Sequence, residues 1–267
     1  MKRKALAYLF ILILVWTVPL YAGSKNFSSK KNQPVISVEA PLKVLAVGEH
    51  LVFDVSWMGV PVGVGTLEVR EIVTTGGRRA YHVVAVAETN DFLSRLYPIH
   101  DEVHSFIDAE KFYSLQFSKE IHEGRYRADE RMTYDYEKGK IFYESFRNKS
   151  KKEFELPSKV QDFLSAFYWF RVQPAVVGKS LHTVVNSEAE NWDLELAVLK
   201  QEIKEFKDGR AIPVILVEPK TRLKGMLYQR GRVWVYFSAD QKRLPVWVTL
   251  RTPFGPVSGV LRPSQGA

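Results

Sequence analysis

The chain of 267 residues contains no cysteine. Disulfides, cysteine nucleophiles and thiolate metal sites are therefore excluded. So is a lipoprotein anchor, which attaches through a cysteine at the processing site. Acidic residues are missing from positions 1–22, and beyond that point no run is apolar and long enough for a membrane helix. The chain has no Gly-x-Ser-x-Gly element, no repeat of fixed period, no low-complexity block and no nucleic-acid recognition motif.

What is present begins with a tripartite start. Lys2, Arg3 and Lys4 precede an uncharged apolar run from Ala5 to Leu20. Pro19 then breaks the run before the small pair Ala22-Gly23. This layout predicts a secretory signal peptide over residues 1–22. Leu20 is large for its place before the cleavage site, so a retained N-terminal anchor is the alternative. The formal charge is +8, and loss of the three basic residues leaves +5. A basic exported protein suits anionic envelope material and makes a nucleic-acid partner an unsuitable expectation. The expected location is the periplasm or cell envelope of a Gram-negative bacterium. Residues 23–47 open with Ser, Lys and Asn and read as a flexible leader.

From residue 48 to 263 the chain reads as one antiparallel β domain. LVFDVSW at 51–57 sets Leu51, Phe53, Val55 and Trp57 on one face and Val52, Asp54 and Ser56 on the other. Similar stretches recur to the end, joined by turns such as TTGGRR, HEGR, EKGK, FKDGR and TPFGP. MGVPVG at 58–63 reads as a turn, and NDFLSRLYP at 90–98 as one capped helical turn. The expected fold is all-β and mainly antiparallel, a large curved sheet or partly open barrel of about a dozen strands. A sheet of that size curls to hide its edges.

One segment breaks the β rhythm. Ser158 and Gln161 have capping-box spacing, and Val160, Phe163, Leu164, Phe167, Tyr168 and Arg171 then share a helical face. Pro174 ends the pattern. A helix is expected over about 158–172, packed on the sheet. It either completes the core or leaves a groove lined by Phe163, Phe167, Tyr168 and Trp169, with Arg171 at its end, where an apolar ligand would bind.

Three stretches carry a family likeness. They are GEHLVFDVSWMGVPVGVGTLEV at 48–69, VQDFLSAFYWFR at 160–171 and VWVYFSADQKRLPVWVTLRTPFGPVSGVLRP at 233–263. In them the chain resembles the bacterial exported domain-of-unknown-function family numbered 3108. The resemblance implies a large antiparallel β fold and an envelope location, with no established activity. The matching positions are Asp162, Ser165, Tyr168, Arg171, Asp240, Pro245 and Gly255.

Chemistry-bearing residues are sparse. His100, Glu102 and His104 fall on one face of a strand and could offer a metal three donors, although zincin spacing is absent. Asp101 points to the other face, as a turn or buried salt-bridge residue. Asp162 and Ser165 lie three apart without a neighbouring histidine, which suits a cap better than a hydrolase. Glu110, Glu120, Glu123, Asp129, Glu130, Asp135 and Glu137 interleave with Arg125, Arg127, Arg131 and Lys138 as a charged sheet face. Lys220, Arg222, Lys224, Arg230 and Arg232 surround Met226, Leu227 and Tyr228, a pattern suited to an anionic membrane surface or lipopolysaccharide phosphate.

The functional expectation is an exported, non-enzymatic envelope protein that binds a lipid or other amphiphile and needs no cofactor. One alternative is an adaptor module docking an envelope protein or polysaccharide. A second is a metal-dependent hydrolase built on His100, Glu102 and His104.

Overall fold

The computed structural model describes residues 37–38, 45–156, 159–187, 190–223, 226–228 and 231–263. The expected signal peptide over 1–22 lies outside them, as do Ser158, Lys224 and Arg230.

Along the chain the strands are β1 (Ser37–Val38), β2 (His50–Trp57), β3 (Val60–Thr75), β4 (Arg78–Thr89), β5 (Ile99–Asp108), β6 (Ser114–Glu123), β7 (Tyr126–Asp135), β8 (Lys140–Ser145) and β9 (Ser150–Glu155). Then follow β10 (Ala175–Val176), β11 (Ser180–Ser187), β12 (Glu190–Glu205), β13 (Ala211–Leu223), β14 (Met226–Tyr228), β15 (Arg232–Ser238), β16 (Pro245–Thr252) and β17 (Gly255–Leu261). Helix α1 (Asp91–Ser94) joins β4 to β5, and α2 (Phe163–Arg171) follows β9.

Fourteen strands form one antiparallel path, in the order β11-β12-β13-β15-β16-β17-β2-β3-β4-β5-β6-β7-β8-β9, with β14 pairing off β13. The sheet is open, and β9 and β11 are its two edges. β1 pairs separately with β10. The strand content agrees with the alternation in sequence, with one difference at the start. Only Met58 and Gly59 make the turn after β2, both in the left-handed region, and β3 already runs from Val60. Val60-Pro61-Val62 continues the ladder because Pro61 opposes Ser56 at a register shift, where a missing N–H is tolerated.

Because every ladder is antiparallel, the turns divide between two rims. One rim carries the connections at 58–59, 90–98, 124–125 and 253–254. The opposite rim carries those at 76–77, 109–113, 136–139, 206–210 and 239–244. Helix α2 lies at the second rim. Arg171 at its end meets Glu49, just before β2, and the Lys242 carbonyl in the β15–β16 turn.

The helix starts later than the spacing predicts. Asp162 is the N-cap, and its Oδ1 accepts from the backbone N–H groups of Leu164 and Ser165. The capping box is Asp162 with Ser165, whose hydroxyl accepts from the Asp162 N–H at 2.8 Å. The residues before it serve the sheet instead. The Gln161 N–H donates to the Val184 carbonyl, and its own carbonyl accepts from Asn186, a parallel bridge to the β11 edge. The Val160 carbonyl accepts from the Ser114 N–H on the other side. Asn191 Nδ2 also reaches the Glu155 carbonyl at the end of β9. These bonds stitch the seam between the two sheet edges, so the backbone there cannot also be helical.

Two clusters share the helix. Leu164 and Tyr168 join Phe53, Val103, Phe117 and Met132. Ala166 and Phe170 join Leu194, Leu196, Val217, Val235 and Phe237. Each large side chain so buried contributes about 1.5–3 kcal/mol.

Candidate functional site

Along the second cluster the packing is incomplete. An apolar cavity of about 70 Å³, open on one side, lies between α2 and the inner wall formed by β11, β12, β13 and β15. Phe163, Phe167 and Phe170 form its floor, and Leu194, Val217 and Val235 are among its wall residues. Thr221 supplies the single hydroxyl in the lining. The cavity extends away from the helix to Thr221, Leu194 and Val233, residues close to the strand ends at Leu223, Glu190 and Arg232. Its geometry suits a narrow apolar chain, because no charged side chain lines it.

The five helix residues singled out by spacing are divided by the helix itself. Phe163 and Phe167 line the cavity, as does Phe170. Trp169 packs against both clusters without lining it. Tyr168 is buried in the first cluster, where desolvation raises its phenol above its ordinary range, so it stays neutral. Arg171 is held by Glu49 through a bidentate pair, Nη1 to Oε1 at 2.6 Å and Nη2 to Oε2 at 2.7 Å. Phe170 widens the apolar face beyond one stripe, and spacing alone does not tell which side of that face meets the void.

Beneath the helix start is a polar cluster that the sequence scattered. Ser105 and Ser114 donate to Asp162 Oδ2 at 2.6 and 2.5 Å. With the two backbone donors, four hydrogen bonds hold the carboxylate. Burial raises the Asp162 pKa, and these hydrogen bonds oppose the rise. The arrangement is a satisfied cap with no solvent access, so it lacks the exposed nucleophile a hydrolase needs.

The basic positions near the cavity's upper end are already paired where they are described. Lys220 and Arg222 face Glu195 at 3.7 and 3.4 Å, and Arg232 meets Glu218 at 2.7 Å. Lys224 and Arg230 fall outside the described residues. Any anionic contact made by the three described cations competes with these carboxylates.

His100, Glu102 and His104 do share the outer face of β5, but their side chains do not converge. His100 Nδ1 is 2.6 Å from Glu88 Oε1, and His104 Nε2 is 3.2 Å from Glu102 Oε1. His104 Nδ1 lies 3.0 Å from His82 Nε2, and His82 stacks on Phe106. Burial, first, holds the His104 imidazole below its ordinary range. Among the described residues, no three histidine or carboxylate side chains are grouped to hold a metal.

The charged face of β6 and β7 needs one correction. Glu123 points inward, beside Asp101, with 1% and 3% exposure. Period two explains it, since Phe117, Ile121 and Glu123 share the inner face. Asp101 Oδ1 accepts the His122 N–H at 2.8 Å. Desolvation by burial raises Asp101 to about 6 and Glu123 to about 9, and at Glu123 the adjacent Asp101 adds to the rise. At neutral pH the raised Glu123 carboxyl keeps its proton beside Asp101.

Residues 52–262 match the family described as protein of unknown function, DUF3108. The chain belongs to the DUF3108 family. Among solved structures it is similar to a beta-barrel-like protein of domain of unknown function DUF1849 from Brucella abortus. That likeness has a TM-score of 0.52 at 11% identity and covers 82% of this chain and 97% of that one. It concerns the fold alone. No curated protein matches the chain.

The positions through which the chain resembled DUF3108 have structural work to do. Asp162 and Ser165 cap α2, and Arg171 ties its end to Glu49. Asp240 Oδ1 accepts from Ser238, Lys242 and Arg243 and so shapes the β15–β16 turn. Pro245 opens β16. Gly255 has φ +109 with Met58 packed where a Cβ would stand, so only glycine fits.

Proposed function

We propose that this DUF3108 protein is an exported envelope protein that holds the apolar part of an amphiphile, such as an acyl chain, in the cavity beside α2. The observation carrying this reading is the unfilled apolar space itself, since interiors normally pack without voids of this size. The basic, acid-free N-terminus before an apolar run supports export. Lys220, Arg222 and Arg232 near the cavity's upper end supply cations for an anionic headgroup.

Native mass spectrometry of protein recovered from a Gram-negative periplasm, without detergent, tests the reading. The expected result is an adduct of lipid mass that disappears in Val217→Phe, a substitution that projects a ring from the β13 wall into the space. An apo mass that stays unchanged after incubation with envelope lipids overturns it. The hydrolase alternative has no comparable support, because His100 and His104 are engaged with different partners.

A further inference from the structure

The rim carrying the turns at 58–59, 90–98 and 253–254 is assembled from three separate stretches of chain. Met58 packs against Gly255, its Sδ only 2.9 Å from where a Cβ would stand. The Trp57 indole donates to the Phe254 carbonyl, and the Met58 N–H to that of Pro256. Asn90, the cap of α1, binds the Val62 and Pro61 carbonyls. Beneath them Leu93, Trp57 and Tyr97 close a small core with Val55, Val62 and Val257. Gly124 of the β6–β7 turn lies directly under the Tyr97 ring. The three stretches and that turn are therefore one contiguous surface.

Its outward side chains are apolar. Met58, Val60, Phe92, Leu96, Tyr126 and Phe254 are 44–76% exposed. They are six of the eleven large apolar residues exposed among the described residues. Single exposed hydrophobes are ordinary, but a cluster gathered on one rim is not. Arg95 and Arg125 stand exposed within the same rim, and neither has an ion pair among the described residues. Asp91 is the acidic residue of α1. Aromatic and aliphatic tips flanked by free guanidinium groups match a bilayer interface bearing anionic headgroups.

We propose that this rim docks onto the surface of an anionic lipid bilayer, with Phe92, Leu96, Met58 and Phe254 entering the interface and Arg95 and Arg125 meeting headgroup phosphates. The docking stands apart from the contents of the cavity. It uses turns of β2–β3, α1 and β16–β17, none of which lines that space.

The test is flotation of the protein with phosphatidylcholine–phosphatidylglycerol vesicles and with phosphatidylcholine vesicles alone. The protein is expected to float with the mixed vesicles, and Phe92→Asp/Leu96→Asp is expected to lose about tenfold or more of that partitioning. Phe254→Asp, on a different turn, should act in the same direction, so a folding defect confined to α1 cannot mimic the result. Arg95→Glu/Arg125→Glu should weaken binding to the mixed vesicles roughly thirtyfold and to neutral vesicles little. The lipid-mass adduct of the cavity should persist in all of these variants. Wild-type protein that stays with the soluble fraction, or variants that float as wild type does, overturn the proposal. A wild-type dimer in light scattering that becomes monomeric in Phe92→Asp/Leu96→Asp also overturns it, because the rim then meets a second copy of the chain.

Discussion

At the scale of single residues, the most consequential placements are two buried carboxyl groups with opposite solutions. Asp162 is surrounded by donors from Ser105, Ser114 and two backbone N–H groups. Asp162→Ala removes the cap and strands both hydroxyls, so it should cost about 3–5 kcal/mol in urea unfolding, whereas Asp162→Asn should cost less. Equal losses in the two variants would contradict the capping account. Glu123 instead is buried beside another acid, with His100 and His122 nearby on Asp101's side. Burial raises its folded pKa from 4.5 to about 9. A raised acid binds more protons folded than unfolded, so its stabilising contribution is complete at low pH and falls as pH rises between those values. The slope is on the order of 1 kcal/mol per pH unit for one proton. Glu123→Gln should remove that slope, leaving unfolding midpoints flatter toward alkaline pH. A wild-type pH dependence unchanged by the substitution would exclude a proton held on Glu123.

At the scale of elements, α2 is short, and tertiary contacts rather than propensity hold it. Both termini are anchored by charge. Asp162 faces the N-terminal amides, and Arg243 Nη1 donates to the Phe170 and Gln173 carbonyls at the other end. Both match the helix dipole. Arg171 adds the pair with Glu49, which joins the helix to the strand it covers. Arg171→Met alone should cost about 3–5 kcal/mol because Glu49 is left uncompensated. The double substitution with Glu49→Met should recover much of that loss. A double-mutant cycle without coupling would show that the pair does not fix the helix. The aromatic face predicted from spacing is present, but its start moved from Ser158 to Asp162. The Gln161 N–H was already committed to the Val184 carbonyl, and the Val160 carbonyl to the Ser114 N–H. Such long-range partners leave no local trace in the sequence.

At the scale of the whole molecule, one open sheet has to protect two edges. β9 is the weaker. Its six residues are all exposed or half-buried, and its charged Lys151, Lys152 and Glu153 discourage further pairing. β4 and β5, near the middle of the path, each bury half or more of their residues. Hydrogen exchange should therefore release amides of β8 and β9 well before those of β4 and β5. Uniform protection across the sheet would mean that the seam at 160–162 closes the edges more tightly than its few hydrogen bonds imply.

Residue patterning alone determined that this chain is antiparallel β with one aromatic helix. Alternation and turn chemistry are local properties, and they survive in any fold that shelters one strand face. The pairing of α2 with an incompletely filled wall was decided only in three dimensions. Whether Phe167 or Tyr168 meets empty space depends on which strands curl around the helix, and those strands come from β11–β15, well along the chain. The same holds for Asp101 and Glu123. Glu123 looked like an ordinary strand charge and Asp101 like a turn or buried salt-bridge residue, and register buried both side by side on the inner face. The rim of Met58, Phe92 and Phe254 is of this kind too. Three turns far apart in sequence became one surface because antiparallel pairing carries alternate turns to the same end of the sheet.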